Sequence, residues 1–334
     1  MAKKIPWDNT AVNTLLECNR KYFFSQLLAS KNRSNLLQRK VHELKKMQNL
    51  SMWQGSVVDK FMEIVVIPKI KNKEALNFES LADEAVEMAI KQFEYSRLAV
   101  YTDPVAGKLE TATEFCILDI HELGKSYDEK EIIEAYSNIR NAILGLPEIQ
   151  MPDGQTLLGF LQQCNSLSPN VYTWKVEIEQ AVVKPQIDLL AQYNWKPVIF
   201  DWKLSRSYTA DYARQLVICG LVVYLKRLEN TEKKPYAYED IRLFEVNLLN
   251  GTVKQHDFTE ERANTMIDEI NLTSQDMLLL LGENESHNIE DFEGTDDDGS
   301  CKICSYRSIC AFLYLNNTYD EKAFAEFIQI TQFA

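Results

Sequence analysis

The sequence predicts a mixed α/β protein whose sheet lies in the second half of the chain, and three observations carry this. Before residue 166, apolar residues recur at helical spacing, as in 8–30, 51–66 and 80–93. From about residue 171 the texture changes to two-residue alternation, starting with Val171-Tyr172-Thr173-Trp174-Lys175-Val176-Glu177-Ile178-Glu179. Strand-like and helix-like runs then alternate to about Leu281, the order of a mixed sheet covered by helices.

The segment 8–30 reads as one helix that Asp8 or Asn9 can cap, with Val12, Leu15, Leu16, Phe23 and Leu27 on its apolar face. A second helix covers 51–66, with Ser51 as a cap and Trp53, Val57, Val58, Phe61, Ile64 and Val65 apolar. Pro68 lacks the N–H that continues a helix and is expected to help end it. Residues 80–165 read as further helices, for example Ser80 to Phe93 and the run around Leu157-Leu158-Gly159-Phe160-Leu161. Strands are expected at 171–179, 182–191 and 197–203, with Asn194 in the turn between the last two. Residues 209–228 return to helical period. Asn250-Gly251, a pair suited to positive φ, joins two strands across 241–258, and Thr259-Glu260-Glu261 opens a helix to about Leu281. The chain thus divides into N-terminal helices over 1–66, a helical insertion over 67–170, a core over 171–281, an acidic loop over 282–300 and a cysteine-bearing segment over 301–334.

With 334 residues, 46% hydrophobic and 25% charged, the chain has the balance of a soluble globular protein, and no run reaches the length of a membrane span. Lys3 and Lys4 have no apolar run behind them, so a secretory signal is not expected; the expected compartment is the cytoplasm, without a membrane partner. In that reducing setting seven cysteines favour metal or cluster ligation over disulfides. A net charge of −13 opposes a broad electrostatic grip on phosphate, but its distribution is uneven. Residues 1–50 are rich in Lys and Arg, whereas 281–300 carry eight carboxylates, from Glu283 to Asp298, and no cation. One end can therefore face phosphate, although both runs also read as ordinary solvated surface.

The sharpest local feature is Gln186-Ile187-Asp188-Leu189-Leu190 followed by Val198-Ile199-Phe200-Asp201-Trp202-Lys203. Strand interiors disfavour aspartate, so two aspartates in adjacent apolar strands suggest function. Asp201 and Lys203 are two apart and share a sheet face, and Asp188 joins them if the strands form a hairpin. Hard carboxylates of this kind hold Mg2+ or Mn2+, and a neighbouring ammonium orients water and stabilises charge growing on a phosphate. The other reading is a strand-ending Asp188 and a surface Asp201–Lys203 ion pair.

This block resembles the signature of the PD-(D/E)xK nucleases, most closely the nuclease domains of the RecB and AddB helicase–nucleases and of CRISPR-associated adaptation nucleases. The resemblance implies a restriction-endonuclease-like core over 171–281. It also implies metal ligation by Asp188, Asp201 and the Trp202 carbonyl, with Lys203 assisting the attacking water. An early Gly-x-x-x-His motif of the family is represented by Gly55-Ser56-Val57-Val58-Asp59, which sets Asp59 at the position of a metal-binding His. A solvent-facing helical Asp is the alternative. The family's Gln-x-x-x-Tyr, which touches DNA, is half present: Gln215 fits, Cys219 stands where Tyr is expected, and Tyr212 or Tyr224 could substitute.

Near the C-terminus, Cys301-Lys302-Ile303-Cys304-Ser305-Tyr306-Arg307-Ser308-Ile309-Cys310 forms a C-x2-C-x5-C run, and a closed site needs a fourth thiolate. Cys18, ahead of Arg20-Lys21-Tyr22-Phe23-Phe24, is the best candidate. The same nuclease branch carries one early and three late cysteines of this spacing, which implies a 4Fe-4S cluster stapling the ends of the domain; zinc is the rival. Cys116, Cys164 and Cys219 read as packing residues, and no histidine shows paired spacing. The expected activity is hydrolysis of DNA, as a single-strand exonuclease in repair, recombination or anti-phage processing, with a helicase or other defence protein as partner. The alternative is a non-catalytic DNA-binding scaffold subunit of such a complex.

Overall fold

A computed structural model describes residues 4–30, 35–103, 112–205, 212–282, 286–316 and 321–332. The chain divides into two compact units, one of residues 1–8, 51–90 and 129–274, the other of 9–50, 91–128 and 275–334.

The first unit holds all the named strands: β1 (Ile5–Trp7), β2 (Ser166–Val171), β3 (Val176–Ile178), β4 (Ala181–Val183), β5 (Ile187–Tyr193), β6 (Lys196–Lys203), β7 (Arg242–Asn247) and β8 (Thr252–His256). They form a five-stranded sheet of order β2-β5-β6-β7-β8 and a small sheet β1-β4-β3. The larger sheet is mixed, because β6 and β7 are parallel while the other neighbours are antiparallel. That parallel step needs a crossover, and the Ala213–Leu228 helix supplies it.

The strands are shorter and more broken than the alternation suggested. Of the expected 171–179 strand only Val176–Ile178 (β3) and Val171, the last residue of β2, are strand, most of β2 lies ahead of it, and the 182–191 strand is split between β4 and β5. Asn194 does turn the β5–β6 hairpin, with Trp195 beside it, both at positive φ (51° and 64°) between paired Tyr193 and Lys196. Gly251 (φ 73°) closes the β7–β8 connection where Asn250-Gly251 was expected to. The helix expected over 209–228 runs over Ala213–Leu228 among the described residues, and the last over Glu260–Leu281; residues 206–211 lie outside them.

Alternation sorts β6 onto two faces. Phe200 stacks on Phe244 (centroids 5.5 Å apart) and meets Phe160 of the Leu157–Gln163 helix at 5.9 Å, forming an aromatic core on one side. Asp201 and Lys203 point the other way.

Pro68 does not end the second helix. The Leu50–Phe61 helix passes through a π turn (Met62–Val66) into the Ile67–Lys71 helix, where Pro68 occupies the first turn. There its missing N–H costs little, because first-turn donors have no partner within their own helix.

In the second unit the expected 8–30 helix is interrupted. Asn9–Glu17 and Asn19–Tyr22 are separate helices, with Cys18 extended between them (φ −166°, ψ 120°), and a π turn follows over Phe23–Leu28. The segment after Cys18 packs on the C-terminal part of the unit. Arg20 donates from Nε to the Phe292 carbonyl at 3.0 Å, Phe23 stacks on Phe292 at 5.0 Å, and Phe24 on Tyr306 at 5.4 Å. No described helix is long and apolar enough to cross a membrane.

Candidate active site

The β5–β6 register builds the site. Leu189 pairs with Phe200, so Asp188 falls opposite Asp201 one step further along. Asp188 also stands in for a ladder acceptor, because its Oδ2 receives the Trp202 backbone N–H at 2.9 Å. The Trp202 ring is buried on the opposite face, stacked on Phe200 at 5.5 Å, so only the backbone of Trp202 faces its neighbours in the site.

Lys203 Nζ lies 2.5 Å from Asp201 Oδ2 and 4.3 Å over the Tyr212 ring. Even so, Asp201 Oδ2 is a buried oxygen with no hydrogen-bond partner. At that distance the ammonium still offsets the carboxylate charge.

Asp59, on the Leu50–Phe61 helix, reaches the same place. Burial pushes its carboxyl up to about 6, and Glu63 and Asp201 add to the rise. Asp188 is raised well above the usual carboxylate range, first by burial, then by Asp59 and Asp201. Asp201 is raised by burial and by Glu245, against the opposing pull of Lys203. For Lys203 burial alone would lower the pKa, but Asp201 and Asp188 outweigh it and hold the ammonium charged. Three carboxylates have Lys203 as their shared ammonium, and Lys60, paired with Glu63 at 3.0 Å, acts more weakly on Asp59. This excess of negative charge, with one orphaned buried oxygen among hard donors, fits a divalent cation. The convergence is electrostatic: among the described residues no three His, Cys, Asp or Glu side chains stand where they could hold a metal ion.

A profile of the PD-(D/E)XK nuclease superfamily matches residues 7–311. The chain belongs to this superfamily. Its mixed α/β fold is consistent with a restriction-endonuclease-like core, and PD-(D/E)XK nucleases use divalent metals such as Mg2+ or Mn2+. No curated protein matches the chain. Among solved structures, "Crystal structure of SSO0001" is 19% identical, aligned over 55% of this chain and 75% of that one, with a TM-score of 0.26.

Gln215 lies half-buried in the first turn of the Ala213–Leu228 helix. Cys219, one turn on, is buried, with its thiol 3.8 Å from the Gln186 carbonyl. Of the two tyrosines considered as substitutes, Tyr212 touches Lys203, whereas Tyr224 is stacked on Tyr238 at 4.4 Å. Three neighbours of the site went unread in the sequence. Glu63 follows Asp59 by four residues, on the next turn. Glu245 pairs in register with Asp201, and His256 Nε2 lies 3.0 Å from Glu245 Oε2. A carboxylate inside the apolar Leu243-Phe244-Glu245-Val246 run was the available signal, the same one that exposed Asp201.

The four predicted cluster cysteines all lie in the second unit. Cys301 lies on the Asp298–Ile303 helix, Cys304 caps its end, and Cys310 is on the Arg307–Asn316 helix. Burial raises the Cys304 and Cys310 thiols, and both also feel Cys18. Cys310 feels Cys301 as well, and Arg20 hydrogen-bonds it. Four soft donors from the two ends of the chain are thus within electrostatic reach of one another, without standing at metal-ligand spacing.

Proposed function

We propose that this protein is a metal-dependent deoxyribonuclease that shortens single-stranded DNA from an end, with Mg2+ or Mn2+ held by Asp59, Asp188, Asp201 and the Trp202 carbonyl. The observation that carries it is the uncompensated charge at Asp59, Asp188 and Asp201 beside a charged Lys203. When bound, the cation supplies Lewis acidity and a water of lowered pKa. The residues of the chain do the rest. Asp188 and Asp201 offer hard oxygens from adjacent strands, and Lys203 places a positive charge where a phosphate gains negative charge. Tyr212 packs against that ammonium and limits its motion. Gln215, one turn into the same helix, is proposed to touch the strand.

We also propose that Cys18, Cys301, Cys304 and Cys310 hold a 4Fe-4S cluster, and that the protein acts with a helicase or another repair or defence protein. Thiol chemistry and the mutual reach of the four sulfurs support the cluster. Asp59 in place of His and Cys219 in place of Tyr favour a second reading, a DNA-binding scaffold subunit without activity.

Labelled single and double strands, incubated with Mg2+, Mn2+ or chelator, separate the two readings. The nuclease reading expects metal-dependent shortening of single strands from one end; no cleavage of any DNA with either metal leaves the scaffold. For the cluster, anaerobically purified protein should absorb broadly in the visible and carry about four irons per chain. Cys18→Ser should lower iron content and thermal stability together, because Cys18 closes a loop of nearly the whole chain. Stoichiometric zinc without iron would overturn it.

A further inference from the structure

The β-sheet unit carries a cavity of about 300 Å³ at the other end of the strands that hold the carboxylates. Leu190, Gln192 and Pro197 form its floor. By two-residue alternation they lie on the same sheet face as Asp188 and Asp201, and Pro197 is about 13 Å from Asp201 along β6 at roughly 3.3 Å per residue. The Ala213–Leu228 helix links the two places. Cys219, which feels Asp188 and Asp201, shares a helical stripe with Val223, Lys226 and Arg227, which line the cavity.

The chemistry of the wall is specific. Lys226, Arg227 and Lys233 supply three cations and Trp174 and Tyr236 two aromatic rings, while no carboxylate is among the described lining residues. Arg227 is held in place: its Nε donates to the Lys234 carbonyl at 2.8 Å, and its guanidinium lies 4.5 Å over the Tyr236 ring. Lys226 is partly offset by Glu229 at 2.5 Å. Cations at a helix C-terminus are ordinary partners of its dipole, and that accounts for Lys226 and Arg227. It does not account for Lys233 and Trp174, which reach the same cavity from outside the helix. In a chain of net charge −13, a cavity lined by cations and rings selects an anionic aromatic ligand.

We propose that this cavity binds a nucleotide, with the base against Trp174 or Tyr236 and the phosphate among Lys226, Arg227 and Lys233. A free mononucleotide and a nucleotide within a single strand present the same chemistry. The inference rests on the nuclease reading only for the source of that ligand.

Calorimetry on the full chain in chelator, so that no strand is cut, tests this with deoxyadenosine 5′-monophosphate, deoxyadenosine and inorganic phosphate as probes. The monophosphate should bind at least tenfold more tightly than either fragment. Lys233→Glu and Trp174→Ala should each weaken it at least tenfold, and exposed Lys233 is a position where the fold should survive. Equal affinity for monophosphate and phosphate, or unchanged affinity in both variants, overturns the proposal. A labelled oligothymidine distinguishes the sources: weakened binding in the same variants assigns the cavity to the strand, and unchanged binding assigns it to free mononucleotide. Nucleotide binding without any cleavage would remove the nuclease reading and leave the cavity; cleavage without nucleotide binding would do the reverse.

Discussion

Two buried charge clusters, one in each unit, differ in their balance of carboxylates and cations. In the helical unit Lys40 pairs with Glu122, whose Oε2 also accepts from the Tyr101 hydroxyl at 2.7 Å. Glu43 lies 3.6 Å from Arg39 and 3.7 Å from Lys40. Two carboxylates meet two cations there, although burial still raises Glu43 to about 7, and Arg39 Nε and Glu43 Oε1 are buried without hydrogen bonds. In the sheet unit three carboxylates, Asp59, Asp188 and Asp201, meet Lys203, while Lys60 and His256 act more weakly on Asp59 and Asp201, and Asp201 Oδ2 is buried without a hydrogen bond. Burying charge is tolerated when it is paired and costly when it is not. The ratio of carboxylates to cations, more than burial, therefore separates the two clusters.

The comparison is broken most directly by removing a charge from each side. Asp188→Ala should abolish DNA cleavage while changing thermal stability little, because the relief of repulsion in the metal-free protein is offset by the loss of the acceptor for the Trp202 N–H. Lys40→Met should do the opposite. Cleavage should persist, while urea unfolding shows a loss of about 3–5 kcal/mol, since Glu122 keeps its burial and loses its counter-charge. A stable Lys40→Met protein would erase the distinction. Lys203→Ala should slow turnover by roughly 10²–10³-fold, with metal affinity retained in a direct binding titration.

A smaller effect sharpens the account of the balanced cluster. Burial raises the Glu43 carboxyl to about 7, against 4.5 ordinarily, and Lys40 opposes that rise. A raised acid favours the folded state most when protonated. Its contribution is therefore full below about pH 4.5 and is lost as pH rises through 7. Glu43→Gln, which stays neutral, should gain stability relative to wild type across that window by at most about 3 kcal/mol, and nothing further above it. A pH-independent difference between the two proteins would show that Glu43 does not titrate in this range.

The features that sequence revealed were those written locally. Asp188 and Asp201 were visible because charge inside apolar strands violates propensity, and Asn250-Gly251 marked a hairpin because its turn demands positive φ. The break at Cys18 was not legible, since the helical period runs straight through it; the chain bends there in a unit where residues 20–24 pack on 292–306. Pro68 was misread for a related reason, because a π turn lets a proline start a new helical segment where a regular helix would have ended. A carboxylate in an apolar run marked Glu245, but its place beside Asp201 depends on the parallel β6–β7 register, and that of His256 on the antiparallel β7–β8 pair, which no local pattern encodes.

Thermal unfolding of the wild type and Asp188→Ala, each with Mn2+ and with chelator, tests most directly whether the carboxylate excess is a cation site. At a concentration about 100 times the dissociation constant, a bound ion should stabilise the wild type by about 2.7 kcal/mol, a melting shift of a few degrees. The account predicts that this shift appears in the wild type and is largely lost in Asp188→Ala. No shift in the wild type, or an equal shift in both proteins, would contradict it.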